Sequence, residues 1–198
     1  MTRLMLDAVN YKNMVGISAD LYAGYLNGSV SQWPKDGWNS FPNDKLVTID
    51  VDGTDFTADV LDVEKGNSTD TTGFPVTINW VKKHQGDYLP ILYANRATLT
   101  PMFNALYAQG LKVETHFRLG IATLDGTKSV SDMTGVTYVQ YTDHNGLYDE
   151  SVVYDDAWKK APVAVPPKPP VITVNGVLVY GELESRVVHS TDGGKTWQ

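Results

Sequence analysis

Residues 58–66 read Ala58-Asp59-Val60-Leu61-Asp62-Val63-Glu64-Lys65-Gly66. The stretch is an apolar run interrupted by acids and closed by a glycine. In an extended strand side chains alternate, so Asp62 and Glu64 project to one face and Leu61 and Val63 to the other. The result is a strand with an apolar back and an acidic front. Parallel α/β sheets carry ligands and reacting groups at the C-terminal ends of their strands, and this run ends in acids.

Seven further runs of four to six residues flank it. With 59–63 they make eight candidate strands, at 4–7, 21–25, 46–51, 89–93, 116–121, 136–141 and 151–154. Helical patterns fall between several of them. One spans 76–84. Another spans 100–108, with Thr98 or Thr100 as N-cap, Pro101 in the first turn and Gly110 past the end. Its Met102/Leu106 and Phe103/Tyr107 pairs have i, i+4 spacing. A short helix within 31–41 is weakened by Pro34 and Gly37. Strand–helix alternation predicts a parallel sheet with right-handed crossovers, and eight strands suggest closure into a barrel. A (β/α)8 barrel typically takes about 250 residues. Here each unit has only about 20. The expectation is therefore an α/β fold: a compact, TIM-like (β/α)8 barrel with shortened or missing helices. An open doubly wound sheet is the alternative.

The barrel would occupy residues 1–160. Residues 161–170 read Ala-Pro-Val-Ala-Val-Pro-Pro-Lys-Pro-Pro, and five prolines in ten residues favour an extended linker. Residues 171–198 form a small β-hairpin module, with two β-runs around Asn175-Gly176 and an Asp-box-like turn at 190–197. A unit so small needs something to dock on, and exposed β-edges suit strand addition.

The 198 residues are 42% hydrophobic and 20% charged, which fits a globular protein and excludes collagen, coiled coil and wholesale disorder. Sixteen basic residues against 23 acidic ones give a net charge of −7. That balance argues against a nucleic-acid binder and against a polybasic membrane-surface protein. There is no cysteine, so disulfides, thiol catalysis and Cys-based metal sites are excluded. No run of 18 apolar residues is present. The first residues reach Asp7 too early for a signal-peptide core, so no signal peptide is expected.

Two acids at a strand end repel each other, and burial raises their pKa values. One can then stay protonated as a general acid while the other is charged, as glycosidic cleavage requires. The alternative is a solvated pair neutralised by Lys65. Asp7 ends the first run, where an acid is also common as a turn or cap residue. Gln140 and Asp149 bracket a His144-Asn145-Gly146 turn and could face a common site. The four histidines (His84, His116, His144, His189) show no metal-ligand spacing. No Ser-His-Asp arrangement or phosphate-binding glycine loop is present. Aromatics such as Tyr25, Tyr93 and Tyr141 sit near these positions, and sugar rings present C–H faces that stack on such rings; most aromatics in any domain are nevertheless core.

The order Asp7, Asp62-Val63-Glu64, Tyr93-Ala94, Gln140-Tyr141, Tyr148-Asp149 resembles the family 25 glycoside hydrolases, the muramidases of phage and bacteria. Residues 22–28 and 60–66 resemble more closely the glycoside-hydrolase-like domains of actinobacterial phages and their hosts. The resemblance covers residues 3–158. It implies Glu64 as general acid and Asp62 as its assistant, either as nucleophile or by orienting the substrate N-acetyl group. It further implies Asp7 and Asp149 at the pocket floor, and Tyr25, Tyr93, Gln140 and Tyr141 in substrate binding. The implied partner is peptidoglycan or another cell-surface glycan, cut between N-acetylmuramic acid and N-acetylglucosamine, with no metal or cofactor. It also implies a phage virion protein, or one held in the host cytoplasm before release, meeting other subunits or a second copy through residues 161–198. A catalytically inactive minor tail, decoration or capsid-associated subunit is the alternative.

Overall fold

The computed structural model describes residues 2–28, 31–64, 66–67, 69 and 72–154, together with two short strands at 172–174 and 177–179. The chain divides into two compact units, Met1–Lys160 and Ala161–Gln198.

The first unit is a closed eight-stranded barrel: β1 (Arg3–Asp7), β2 (Leu21–Leu26), β3 (Leu46–Asp50), β4 (Val60–Asp62), β5 (Ile91–Asn95), β6 (Arg118–Ala122), β7 (Val136–Asp143) and β8 (Asp149–Val153). Neighbours follow sequence order around the ring. From β1 to β7 every pairing is parallel. The expectation of a fully parallel sheet is corrected at β8, which runs antiparallel to both β7 and β1. Five residues join β7 to β8, and a parallel return needs a crossover of about a dozen or more. The Asn145-Gly146 turn, with φ of 54° and 72°, makes a hairpin instead.

Among the described residues three α-helices accompany the barrel: α1 (Lys35–Trp38), α2 (Pro75–Lys83) and α3 (Arg96–Tyr107). This is the compact barrel with missing helices that the chain length requires. The helix expected from residue 100 begins earlier. β5 runs directly into α3, and Asn95 both ends the strand and caps the helix, accepting the Thr98 amide at 3.0 Å. Pro101 consequently lies inside α3.

Strand alternation divides the core. Met5, Leu21, Ala23, Val47, Ile49, Val60, Ile91 and Val153 fill the barrel interior. Leu61, Val63, Leu92, Ala94, Leu119, Ile121 and Val139 point outward and are covered by α2 and α3 through Trp80, Leu99, Met102 and Leu106. A second outer cluster packs Trp33, Phe41 and Tyr22 against Leu6, with Trp38 beside them. Gly24 makes that approach possible: a Cβ there would meet the rings of Trp33 and Trp38 at 2.6 and 2.7 Å. Asp50, wholly buried at the end of β3, fastens α2 to the barrel. It accepts the Trp80 indole N–H at 3.0 Å and the Asp55 amide at 2.9 Å.

In the second unit β9 (Ile172–Val174) pairs antiparallel with β10 (Val177–Val179), Val174 opposite Val177. The proline-rich linker and the Asp-box-like turn lie outside the described residues. No helix among them is long and apolar enough to cross a membrane.

Candidate active site

Seven parallel strands end at one rim of the barrel, and their last inward-facing residues meet there. Asp7 is the last residue of β1, and Asp62 the last of β4, with half-buried Glu64 two residues on. Tyr25 comes from β2, Tyr93 from β5, and Tyr138 and Gln140 from β7. Because β8 runs backwards, its first residue, Asp149, lies at the same rim, in register with Asp7. Asp7, Tyr25, Asp62, Tyr93, Tyr138, Gln140 and Ile49 line a narrow pit of about 10 Å³, roughly the room of one water.

The pit is rich in acids and tightly hydrogen-bonded. Tyr25 Oη donates to Asp7 Oδ1 at 2.6 Å, and Tyr93 Oη donates to Gln140 Oε1 at 2.5 Å. The Tyr93 and Tyr138 rings stack with centroids 6.0 Å apart. Asp7 is 4% exposed and Asp62 7%. The Asp62 backbone carbonyl accepts the Thr69 hydroxyl at 2.6 Å, which anchors the loop after β4. The Asp62 side-chain oxygen Oδ1 is buried with no hydrogen-bond partner.

Burial raises these carboxyls. Burial and then the charge of Asp149 push Asp7 up to about 7, against the pull of the Tyr25 hydrogen bond. Burial, with Asp143 and Glu64 adding repulsion, pushes Asp149 up to about 6. Asp62 is raised well above the usual carboxylate range by burial, Glu64 and Asp7. Burial raises Glu64 as well. Near neutral pH such a set holds protonated and ionised carboxyls side by side, the condition for paired acid and base or nucleophile chemistry. Among the described residues no group of three or more His, Asp or Glu is arranged to hold a metal ion.

Beside the pit runs a wider groove of about 310 Å³, which shares Tyr25 with it. The segment after β1 (Ala8, Val9, Asn10, Asn13) forms one wall and the β7–β8 hairpin (Gly146, Leu147, Tyr148, Asp149) the other. Asn13 Nδ2 donates to the Leu147 carbonyl at 2.7 Å across it. The hairpin is braced by the His144 ring, stacked on Tyr148 at 4.3 Å and in contact with Glu150 Oε1 at 2.8 Å.

Of the residues singled out in the sequence, Asp7, Tyr25, Asp62, Tyr93 and Gln140 line the pit. Glu64 and Asp149 are close enough that their charges act on Asp7. Tyr141 is not with them. It follows Gln140 directly on β7, so alternation turns it outward, at a β-bulge between Gln140 and Thr142. Its ring packs in the outer core under Lys128 Nζ, 4.2 Å from the ring centroid, and its hydroxyl donates to Glu150. Tyr138 takes the inward place that the sequence reading missed. The signal for it was period two: Tyr138 and Gln140 share one face of β7.

The fold has known counterparts. The barrel is similar to the muramidase from Trichobolus zukalii, with a TM-score of 0.51 and 13% identity over 77% of this chain and 93% of that one. A family 25 glycosyl hydrolase from Bacillus anthracis aligns with a TM-score of 0.47 and 14% identity over 77% and 89%. No protein-family model matches the sequence. No curated protein matches it either. The likeness to the Trichobolus zukalii muramidase shows a shared barrel fold.

Proposed function

We propose that the protein is directed at bacterial cell wall, binding the peptidoglycan glycan strand in the groove and cleaving it at the acid rim as a muramidase-like glycoside hydrolase. The observation that carries this reading is the convergence of Asp7, Asp62, Glu64 and Asp149 at the C-terminal rim of the barrel, all raised by burial, with repulsion from neighbouring acids adding to it at Asp7, Asp62 and Asp149. Glu64 is the most accessible of the inward acids of β4 and its following loop. It would give its proton to the leaving glycosidic oxygen. Asp62 would then assist, either by attacking or by orienting the substrate N-acetyl group. The groove supplies apolar surface at Val9, Leu147 and Tyr148 for sugar faces, and amides at Asn10 and Asn13 for hydroxyls.

A second reading has its own observation. The pit is no wider than a water, which suits a barrel that holds a glycan without cutting it. On that reading the protein is a host-surface binder of a phage particle, joined to other subunits or to a second copy through residues 161–198.

The test is clearing of purified peptidoglycan by the full chain and by Glu64→Gln, together with pull-down on the same walls. Clearing that is lost in the variant supports the enzyme. Binding without clearing supports the second reading. Absence of both overturns each.

A further inference from the structure

The groove beside the pit owes one wall to the β7–β8 hairpin, and the aromatic surface of that wall is Tyr148. A hairpin fixes the main chain of such a residue and leaves its side-chain torsions to be fixed by neighbours. We infer that Glu150 is a positioning residue for this wall: gripped between Tyr141 and His144, it holds the His144 ring against Tyr148 and so presets the surface on which a sugar ring lies. The inference rests on the reading of the groove as the glycan site.

The contacts run from β7 to the groove. Tyr141 is on the outer face of β7, where the bulge sets both it and Thr142 opposite Glu150 of β8. Its hydroxyl donates to Glu150 Oε2. Lys128 Nζ, from the β6–β7 connection, caps the Tyr141 ring. The other carboxylate oxygen, Glu150 Oε1, meets His144 Nε2 at 2.8 Å. Both oxygens are thereby occupied, and the side chain has no second arrangement that keeps both partners. The imidazole stacks on the Tyr148 ring, with centroids 4.3 Å apart and planes 22° from parallel. Tyr148 also packs against the outer cluster around Trp33.

The protonation states agree with the direction of each contact. Burial and the Glu150 carboxylate push the Tyr141 phenol up to about 12, so it stays a donor. Burial pushes Glu150 up, but its contacts with Tyr141 and His144 outweigh this and hold the carboxyl below its ordinary range. An ionised carboxylate only accepts, so His144 turns an N–H toward it from Nε2, which sets the orientation of the ring. Hydrogen bonds to an ionised group are about twice as strong as neutral ones.

The backbone bonds of the hairpin do not replace this grip. His144 N donates to the Tyr148 carbonyl at 2.8 Å, Leu147 N to the His144 carbonyl at 3.1 Å, and Asn13 Nδ2 to the Leu147 carbonyl. All three set the path of the main chain, and none ends on the Tyr148 ring. Immobilising a side chain on binding costs a factor of about two to ten in affinity, and a ring already held avoids that loss. Tyr141 thus serves the groove three contacts away from Tyr148 rather than by touching the glycan.

The experiment follows the Tyr148 ring in carbon–proton aromatic NMR spectra of the full chain, in wild type, Glu150→Ala, Glu150→Gln and Tyr141→Phe, with retention on pelleted peptidoglycan measured for each. The stacked imidazole displaces the Tyr148 signals from those of free tyrosine. In Glu150→Ala that displacement is expected to collapse and retention to fall about two- to tenfold. Glu150→Gln, which still accepts from His144 Nε2, is expected to keep both. An unmoved ring in Glu150→Ala, or an equal collapse in Glu150→Gln, overturns the inference. Tyr141→Phe removes one hydroxyl and is expected to move the Tyr148 signals in the same direction by less; no movement overturns the inference even if Glu150→Ala does not fold. A ring that moves while retention stays at the wild-type level overturns the role of Tyr148 as a binding wall. If the wild type itself is not retained on walls, the glycan reading fails, and the ring signals alone decide whether Glu150 positions Tyr148.

Discussion

Asp7 and Asp149 stand directly opposite each other across the antiparallel pair β1 and β8, with side chains on the same face. Like charges in that arrangement are destabilising, and the charge of Asp149 is the second cause, after burial, that lifts Asp7 to about 7. An aspartate raised in the folded state stabilises the fold fully below its ordinary pKa of 3.8, and that contribution is lost as pH rises through about 7.

Asp7→Asn removes the charge while leaving an oxygen to accept the Tyr25 hydroxyl. Its melting temperature should exceed that of the parent at pH 8 by at least about 3 °C, equivalent to about 1 kcal/mol. The gain should vanish at pH 4. Calorimetry at the two pH values checks it, and equal effects at both would contradict the assignment.

Glu64→Gln keeps the shape of the side chain and removes its transferable proton. Loss of a general acid costs about 10²- to 10⁴-fold in rate. Wall clearing should fall by that factor, while retention on pelleted walls should stay within about twofold of the parent, since no contact outside the rim changes.

Activity should also show an acid limb. Asp149, pushed up to about 6, becomes protonated as pH falls through that value, and clearing should decline there. Asp149→Asn should lower the plateau and abolish the limb. A limb that persists unchanged in the variant would assign it to another group.

Gly120→Ala tests the floor of the pit. A Cβ at Gly120 would lie 2.3 Å from Cζ of Tyr138 and 2.6 Å from its hydroxyl, atoms fixed by the stack on Tyr93. Overpacking of this kind costs about 1–3 kcal/mol. Urea unfolding should show that loss, and combination with Tyr138→Phe, which removes only the hydroxyl, should restore a part of it.

Trp80→Phe tests the fastening of α2. It leaves buried Asp50 without the indole donor at 3.0 Å and the Asp55 carbonyl without its partner at 2.9 Å. Hydrogen bonds to charged groups contribute about 1.5–3 kcal/mol. Urea unfolding should show at least that loss. Wall binding at temperatures well below the melting point should persist, because neither residue lines the pit or the groove.

The eight strands were legible because alternation of side chains is a property of the local backbone. Leu61 and Val63 fall in the outer core while Asp62 lines the pit. β8 was misread in direction although its turn was recognised. The parallel expectation came from the repeating pattern of the preceding units, whereas the length of the last connection forbids a crossover. Tyr141 is placed in the site by the resemblance, but it directly follows Gln140 on β7, and alternation along the strand turns it to the other face.

The sequence by itself determined the number of strands, the scarcity of helices and the acids at strand ends. Each follows from local geometry or from chain length. Only the tertiary structure decided that Asp7 faces Asp149, that Gly120 leaves room for Tyr138, and that Tyr93 reaches Gln140. Those relations arise when the barrel closes and brings distant strands into register. The pKa shifts arise with them, because burial and repulsion depend on neighbours that the chain supplies from elsewhere.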